Sequence, residues 1–301
     1  MDEDRLNSPS TSAVVIEVLG HHLHLSQDPN SKHLGTTVWD SSMVFIKFLS
    51  IFLQEKNSRK GRFSPSKLKG KRAIELGAGC GLAGLGMALL GCNVVSTDQI
   101  EVLPLLMKNI TRNTSWIMQA NDSASLGSIE VAELDWGNED HIRAVCPPFD
   151  YIIGTDIVYA EHLLEPLVQT IMALSGPKTT IMLGYEIRST TVHEQMIQIW
   201  KDNFVVKTVP KAKMDIKYQH PSIQLFIMEL KPPQILEDNL QNTNAPLLDS
   251  GNHNSETEDD LAEKEGVELI APVVADMKAG DWESRRHGAL AARLLKDVKI
   301  S

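Results

Sequence analysis

The sequence predicts an α/β protein built on a doubly wound, mostly parallel sheet. Three observations point there. From about Ala13 to Leu230, short apolar runs alternate with longer stretches of helical periodicity, the pattern of parallel strands joined by crossover helices. The first strand of that alternation runs straight into a glycine-rich turn, Gly77-Ala78-Gly79-Cys80-Gly81, which opens an apolar helix. The second strand ends on an acid, Asp98.

In chain order, Val14 to Leu25 alternates around Gly20 as a small hairpin does, and Met43 to Phe52 is apolar enough for a helix packed on the sheet. Ala73 to Leu76 is a strand, and Leu82 to Leu90 the helix after the glycine turn. Asn93 to Thr97 is the next strand, followed by a helix over 101–112. Ile129 to Leu134 is a third strand, leading into Asp135-Trp136-Gly137. Asp150 to Thr155 is a fourth, followed by Asp156-Ile157-Val158-Tyr159 and a helix from about His162 to Leu174. Thr179 to Tyr185 is a fifth strand and Val192 to Trp200 a helix. Phe204 to Val209 and Ile223 to Leu230 close the pattern, and the polar connection between them has no helical period, so they pair antiparallel.

Composition bounds the rest. The chain has 301 residues, 42% hydrophobic and 23% charged, as expected of a globular protein with one large domain or two small ones. No run of apolar residues is long enough to span a bilayer, and Met1-Asp2-Glu3-Asp4 is acidic where a secretory signal is basic. Cys80, Cys92 and Cys146 form no CxxC pair, which suits a reducing compartment; a cytoplasmic location is expected, with the nucleus as a second. Of the formal net charge of −10, the stretch Gln234 to Gly266 carries nine acids against Lys264. The remainder is nearly neutral, so phosphate neutralisation does not recommend nucleic acid as a partner. Four segments follow: a flexible 1–12, a domain over 13–230, an acidic disordered linker over 231–266, and an extension over 267–301. Within the extension, Asp281 to Ile300 has the pattern of a basic amphipathic helix, docked on its own domain or on a partner.

The glycine run fits two templates. Gly79-Cys80-Gly81-Leu82-Ala83-Gly84 satisfies GxGxxG, with Asp98 near the spacing of a ribose-binding acid. The other begins earlier, at Glu75-Leu76-Gly77-Ala78-Gly79. An acid facing the ligand at Glu75 would repel a pyrophosphate and suit a cationic, amino-acid-bearing molecule such as S-adenosylmethionine. Asp156 and Tyr159, three apart at a strand-to-helix junction, can face one site if a helical turn starts there. Asp before a helix is also a common cap, which gives Asp156 a purely structural reading. Tyr185 and Glu186, ending the fifth strand, are aimed at the same edge as candidate substrate contacts. His21, His22 and His24 do not make a metal site, because on a strand only two of them share a face and no acid or cysteine joins them; no metal is expected. Cys80 sits at a helix N-terminus, where a thiol pKa falls, but it lacks a base partner.

Taken in order, Val38-Trp39-Asp40, the glycine turn, Leu134-Asp135-Trp136-Gly137 and Asp156-Ile157-Val158-Tyr159 resemble the seven-strand S-adenosylmethionine-dependent protein lysine methyltransferases, the methyltransferase-16 or methyltransferase-21-like family. The resemblance covers about Val14 to Leu230. The glycine turn marks only the superfamily, and the Asp-x-x-Tyr motif with the two tryptophan motifs narrows it. The resemblance implies a class I methyltransferase fold, Rossmann-like, with seven strands, the last antiparallel. It implies that Trp39, Gly77, Ala78, Gly79, Asp98, Trp136 and Thr155 contact the cofactor, S-adenosylmethionine. It further implies that Asp156 and Tyr159 form the catalytic entrance for a target lysine. The implied substrates are proteins, among them chaperones, an AAA ATPase and elongation factors. Trp136 would offer a face to adenine, and Trp39 would cover the methionine end by cation-π attraction. Three alternatives stand beside this reading. The same fold could act on a small molecule or nucleic acid, although no Asn-Pro-Pro-Tyr motif is present; Gly79, Gly81 and Gly84 could serve an NAD-dependent oxidoreductase; or the chain could be a non-catalytic adaptor working through its tail.

Overall fold

The structure is a computed structural model and describes residues 6–8, 10–54, 63–120 and 126–232. The acidic linker and the basic segment expected beyond Leu230 lie, from residue 233 on, outside the described residues. A hairpin of β1 (Ala13–Val18) and β2 (His21–Ser26) is closed by Leu19 and Gly20, both at positive φ, 54° and 82°. Two such residues give a turn whose twist matches that of paired strands, and the register runs from Val18↔His21 to Ala13↔Ser26. Two helices follow, α1 (Asp40–Gln54) and the short α2 (Pro65–Leu68). The alternating part then reads β3 (Arg72–Leu76), α3 (Leu82–Leu89), β4 (Asn93–Asp98), α4 (Leu103–Ala120) and β5 (Ile129–Glu133). It continues with α5 (Glu139–Ala144), β6 (Phe149–Thr155), α6 (Leu164–Leu174), β7 (Ser175–Glu186), α7 (Thr190–Asn203), β8 (Phe204–Thr208) and β9 (Ile223–Leu230).

The seven sheet strands lie in the order β5-β4-β3-β6-β7-β9-β8. β9 is inserted between β7 and β8 and is antiparallel to both, while the other neighbouring pairs are parallel. The chain winds outward from β3 through β4 to β5, then returns to the other side of β3 with β6. β3 and β6 are therefore the pair at which the connections part in opposite directions, which opens a crevice at their carboxyl ends. Leu76 pairs with Gly154, so the glycine turn after β3 and Thr155 at the end of β6 stand side by side.

The period of two along the strands divides the core into two layers. Ala73, Tyr151, Ile153, Met182 and Leu225 face the layer of α1, α3, α4 and the hairpin. Ile74, Leu76, Ile152, Ile181, Leu183 and Tyr185 face the layer of α6 and α7, where Trp200 is fully buried against Phe226. Helix α4 runs eight residues past the expected end at Arg112, and two buried polar residues on it have a job the hydrophobic pattern does not register. Asn109 and Asn113 each accept from and donate to the backbone of β2, at Ser26 and His24, and so complete the outer edge of the hairpin as a third strand would. Helix α5 was not expected; it is one short segment capped by Asn138, whose side chain accepts from the amides of Asp140 and His141.

Candidate active site

The glycine turn after β3 is forced by both backbone and space. Gly77 and Gly79 have φ of 58° and 57°. A Cβ on Gly79 would lie 2.9 Å from the carbonyl oxygen of Gly35, and one on Gly77 would lie 2.8 Å from Ile157 Cγ2 and 3.4 Å from Trp136 Cζ2. The turn is thus pressed between a loop before α1 and the Trp136 indole after β5. Ala78 is tied to the end of β4 by its N–H to the Thr97 carbonyl, 2.9 Å.

Asp98 closes one side of the turn. Its Oδ2 accepts the Gly79 N–H at 2.7 Å and its Oδ1 the Gln99 N–H at 2.8 Å. Burial raises its pKa, and those two amides oppose the rise. Each oxygen keeps a free lone pair, so the carboxylate can still accept from a ligand's hydroxyls. Gly35 lies against the same carboxylate: a Cβ there would be 3.4 Å from Asp98 Oδ2.

Glu75 corrects an expectation. On β3 it shares the face of Ala73, beneath α3, and is 1% exposed, so it does not face the crevice. Ser96 Oγ donates to its Oε2 at 2.6 Å, and the amides of Gly84 and Ala83 at the start of α3 also serve it. Desolvation pushes its pKa up to about 7 against those hydrogen bonds, with the Asp98 charge adding to the rise. Gly84 has no room for a Cβ because Glu75 and Ser96 fill that space, which accounts for the third glycine of the dinucleotide pattern without a dinucleotide. Cys80 is also settled: burial pushes its thiol up to about 12, the opposite of an activated nucleophile.

A second cluster sits beyond Thr155, which is half-buried at the end of β6 opposite Gly184. Asp156 has φ of 56° and its N–H donates to the Gly184 carbonyl. No helical turn starts there. A 3-10 turn begins at Glu161 and α6 at Leu164, and Asp156 caps neither. Its Oδ1 instead accepts the Glu186 N–H at 3.0 Å and pairs with Arg188 Nη1 at 3.1 Å, while its buried Oδ2 has no hydrogen-bond partner. Tyr159 lies at the rim, 38% exposed, and its hydroxyl pKa is raised by partial burial and by the charge of Asp98.

The pair Tyr185 and Glu186 separates, as consecutive strand residues must. Glu186 joins the cluster, accepting from Arg188 Nη2 at 2.7 Å. Tyr185 turns to the opposite layer, 1% exposed and stacked on His193 at 5.8 Å, with its hydroxyl pushed up to about 12 chiefly by desolvation. It is therefore a core residue and not a substrate contact. Trp39 donates its indole N–H to the Leu34 carbonyl at 3.0 Å, and the cation over its ring is the Arg188 guanidinium, 4.7 Å from the centroid.

Gly35 and Arg188 are not among the residues that the sequence motifs single out. Arg188 had a signal: two residues beyond Glu186 on an extended segment puts both on one side. The three histidines of the hairpin do not gather, and the His24 ring meets Trp116 edge-on at 4.9 Å. Elsewhere Glu133, Asp135 and His141 bring one ligand atom each within 4.8 Å of one another, but His141 Nδ1 accepts the Asp135 N–H at 3.2 Å, which ties α5 to the end of β5.

This arrangement joins a glycine turn tied to an acid at the switch point with an Asp-x-x-Tyr segment, and the model of the lysine methyltransferase family matches residues 19–202. The chain belongs to that family. Its members are S-adenosylmethionine-dependent protein lysine methyltransferases. Among relatives, protein N-lysine methyltransferase METTL21A of Danio rerio is 36% identical over 177 residues, 59% of this chain and 72% of the relative. The METTL21A of Mus musculus is 32% identical over 169 residues, 56% of this chain and 68% of the relative. EEF1A lysine methyltransferase 3 of Xenopus tropicalis is 36% identical over 130 residues, covering 42% of this chain and 53% of that protein. In this member of the lysine methyltransferases, no helix among the described residues is long and apolar enough to cross a membrane.

Proposed function

We propose that residues 13–230 form the catalytic domain and that it transfers a methyl group from S-adenosylmethionine to a lysine side chain of another protein, of the chaperone, AAA ATPase or elongation factor class, in the cytoplasm or nucleus. The elongation factor arm draws support from the Xenopus relative, an EEF1A lysine methyltransferase by name. The observation that carries the reading is the turn at Gly77 and Gly79: it is bare of side chains, bounded by Trp136 and tied to Asp98 at the one place where the sheet opens.

That cradle fits the cofactor's parts. Close backbone at Gly77, Ala78 and Gly79 admits its amino-acid end, Asp98 has lone pairs for the ribose hydroxyls, and the Trp136 indole offers a flat apolar face for adenine, beside Thr155. The bound cofactor supplies an electrophilic methyl on a sulfonium. This chain must then deliver a neutral amine in line with that methyl. Asp156 receives the incoming lysine ammonium at Oδ2, and Tyr159 at the rim aligns its aliphatic stem. Loss of the proton to solvent follows from desolvation beside a cation, which lowers the amine pKa, so Asp156 holds and orients and need not act as a base. In this reading the acidic stretch and the basic segment beyond it recruit a partner or regulate access.

The test is transfer of tritiated methyl from S-adenosylmethionine into a cell extract, with D98A and D156A beside wild type and amino-acid analysis of labelled bands. Methyl-lysine in a discrete band, lost in both variants, is expected. Cofactor binding without labelled protein would move the acceptor to a small molecule or RNA.

A further inference from the structure

The same cluster contains a cation that the reading above does not use. Arg188 follows β7 on an extended segment, and its side chain is 12% exposed. One guanidinium nitrogen pairs with Asp156 Oδ1 at 3.1 Å and another with Glu186 Oε2 at 2.7 Å, while the guanidinium carbon lies 4.7 Å from the centroid of the Trp39 ring. A planar fork held by two carboxylates and a ring has little freedom left.

Asp156 is held just as firmly. Its side chain is 1% exposed, its backbone is clipped to Gly184, and its Oδ1 takes both the Glu186 N–H and Arg188. All these restraints act on the backbone and one oxygen, and Oδ2 is buried with no partner. A buried carboxylate oxygen without a donor is costly, and a fold keeps one when something else completes it. The charge count agrees: two carboxylates against one guanidinium leave the cluster one negative charge in excess, which one ammonium would balance.

We propose that Arg188 is a positioning residue for methyl transfer, fixing Asp156 through one oxygen so that the other is presented to the ammonium of the target lysine. Without Arg188, Oδ1 of Asp156 would keep only the Glu186 N–H and the pair of acids would repel each other uncompensated, so the lysine would meet a carboxylate held less firmly in direction. Through Trp39, whose indole holds the loop at Leu34 next to Gly35 and Gly79, Arg188 also links the lysine end of the site to the glycine turn. The proposal rests on the reading that Asp156 receives the lysine.

The experiment uses the full-length chain with tritiated S-adenosylmethionine and a cell extract as acceptor, comparing wild type, R188Q, R188K and E186Q, with cofactor binding measured by calorimetry. R188Q should lower maximal methyl-lysine formation about tenfold or more while the cofactor Kd and its KM stay within about threefold, because misdirecting one reactant slows the step without weakening the other's binding. E186Q, which leaves the Asp156 contact in place, should cost less. If R188Q does not fold, R188K is read by the same split between KM and kcat. Equal losses in cofactor affinity and turnover, or no loss at all, would overturn the proposal. A wild type that binds cofactor but labels no lysine would instead sink the assignment of Asp156 beneath it.

Discussion

A carboxyl group at Glu75 lies under the first turn of α3 with a pKa near 7, above its ordinary value of 4.5. Because the folded state holds this proton more tightly than the unfolded chain, its contribution to stability is fully present below about pH 4.5 and is lost as pH rises to about 7. The loss is on the order of 3 kcal/mol at most. E75Q should therefore flatten the pH dependence of the unfolding free energy between pH 5 and 7.5, measured by urea titration; an unchanged slope would contradict the burial described. At Gly79 a side chain would meet the Gly35 carbonyl in a left-handed backbone. G79A is expected to keep the fold and weaken S-adenosylmethionine binding about tenfold, by calorimetry, through roughly 1–2 kcal/mol of strain at the turn. Part of the candidate site was legible because turns and strand ends are written locally: Gly77 and Gly79 occupy the turn after β3 and Asp98 and Thr155 end their strands, while Asp156 stands at positive φ with no helical turn starting at it. Glu75 and Tyr185 were misread because a motif states proximity in sequence, while strand parity decides which face of the sheet a side chain meets. That parity was readable from the neighbouring apolar residues, since Tyr185 continues the row of Ile181 and Leu183.

Helix α7 is fastened by Trp200, buried against Phe226 with its indole N–H lacking a partner. W200A should cost about 3–5 kcal/mol of stability, and W200F much less, since phenylalanine keeps most of the packing and removes the unpaired donor. A thermal melt in which the two variants match would deny that packing dominates there. The strands and the long helices were legible from periodicity, and only their ends moved. What escaped was polar: α5 begins at an asparagine cap and has few apolar residues, and the middle of α4 carries Asn109 and Asn113, whose partners lie on β2, more than eighty residues earlier in the chain. A hydrophobic pattern cannot announce a backbone edge that needs covering.

For the whole molecule, every element of the described unit lies before residue 233, and so do all the groups proposed to hold cofactor and lysine. A chain ending at Pro232 is expected to retain methyl transfer to a supplied acceptor within about threefold in the labelling assay, while its choice among proteins in an extract changes if the tail recruits a partner. Loss of cofactor binding on truncation would tie the tail to the site. The position of β9 carries a further consequence. It is the last of the described strands to emerge, yet its residues complete the ladders of both β7 and β8, with Met228 opposite Ile181 on one side and Val206 on the other. During synthesis on the ribosome, β8 has left the exit tunnel with no strand to join until Ile223–Leu230 follows, and β7 waits with an open edge. Birth of the enzyme is thus gated by β9, and any transcript stopping short of residue 223 yields a chain with two unzipped edges for chaperones or proteases to find.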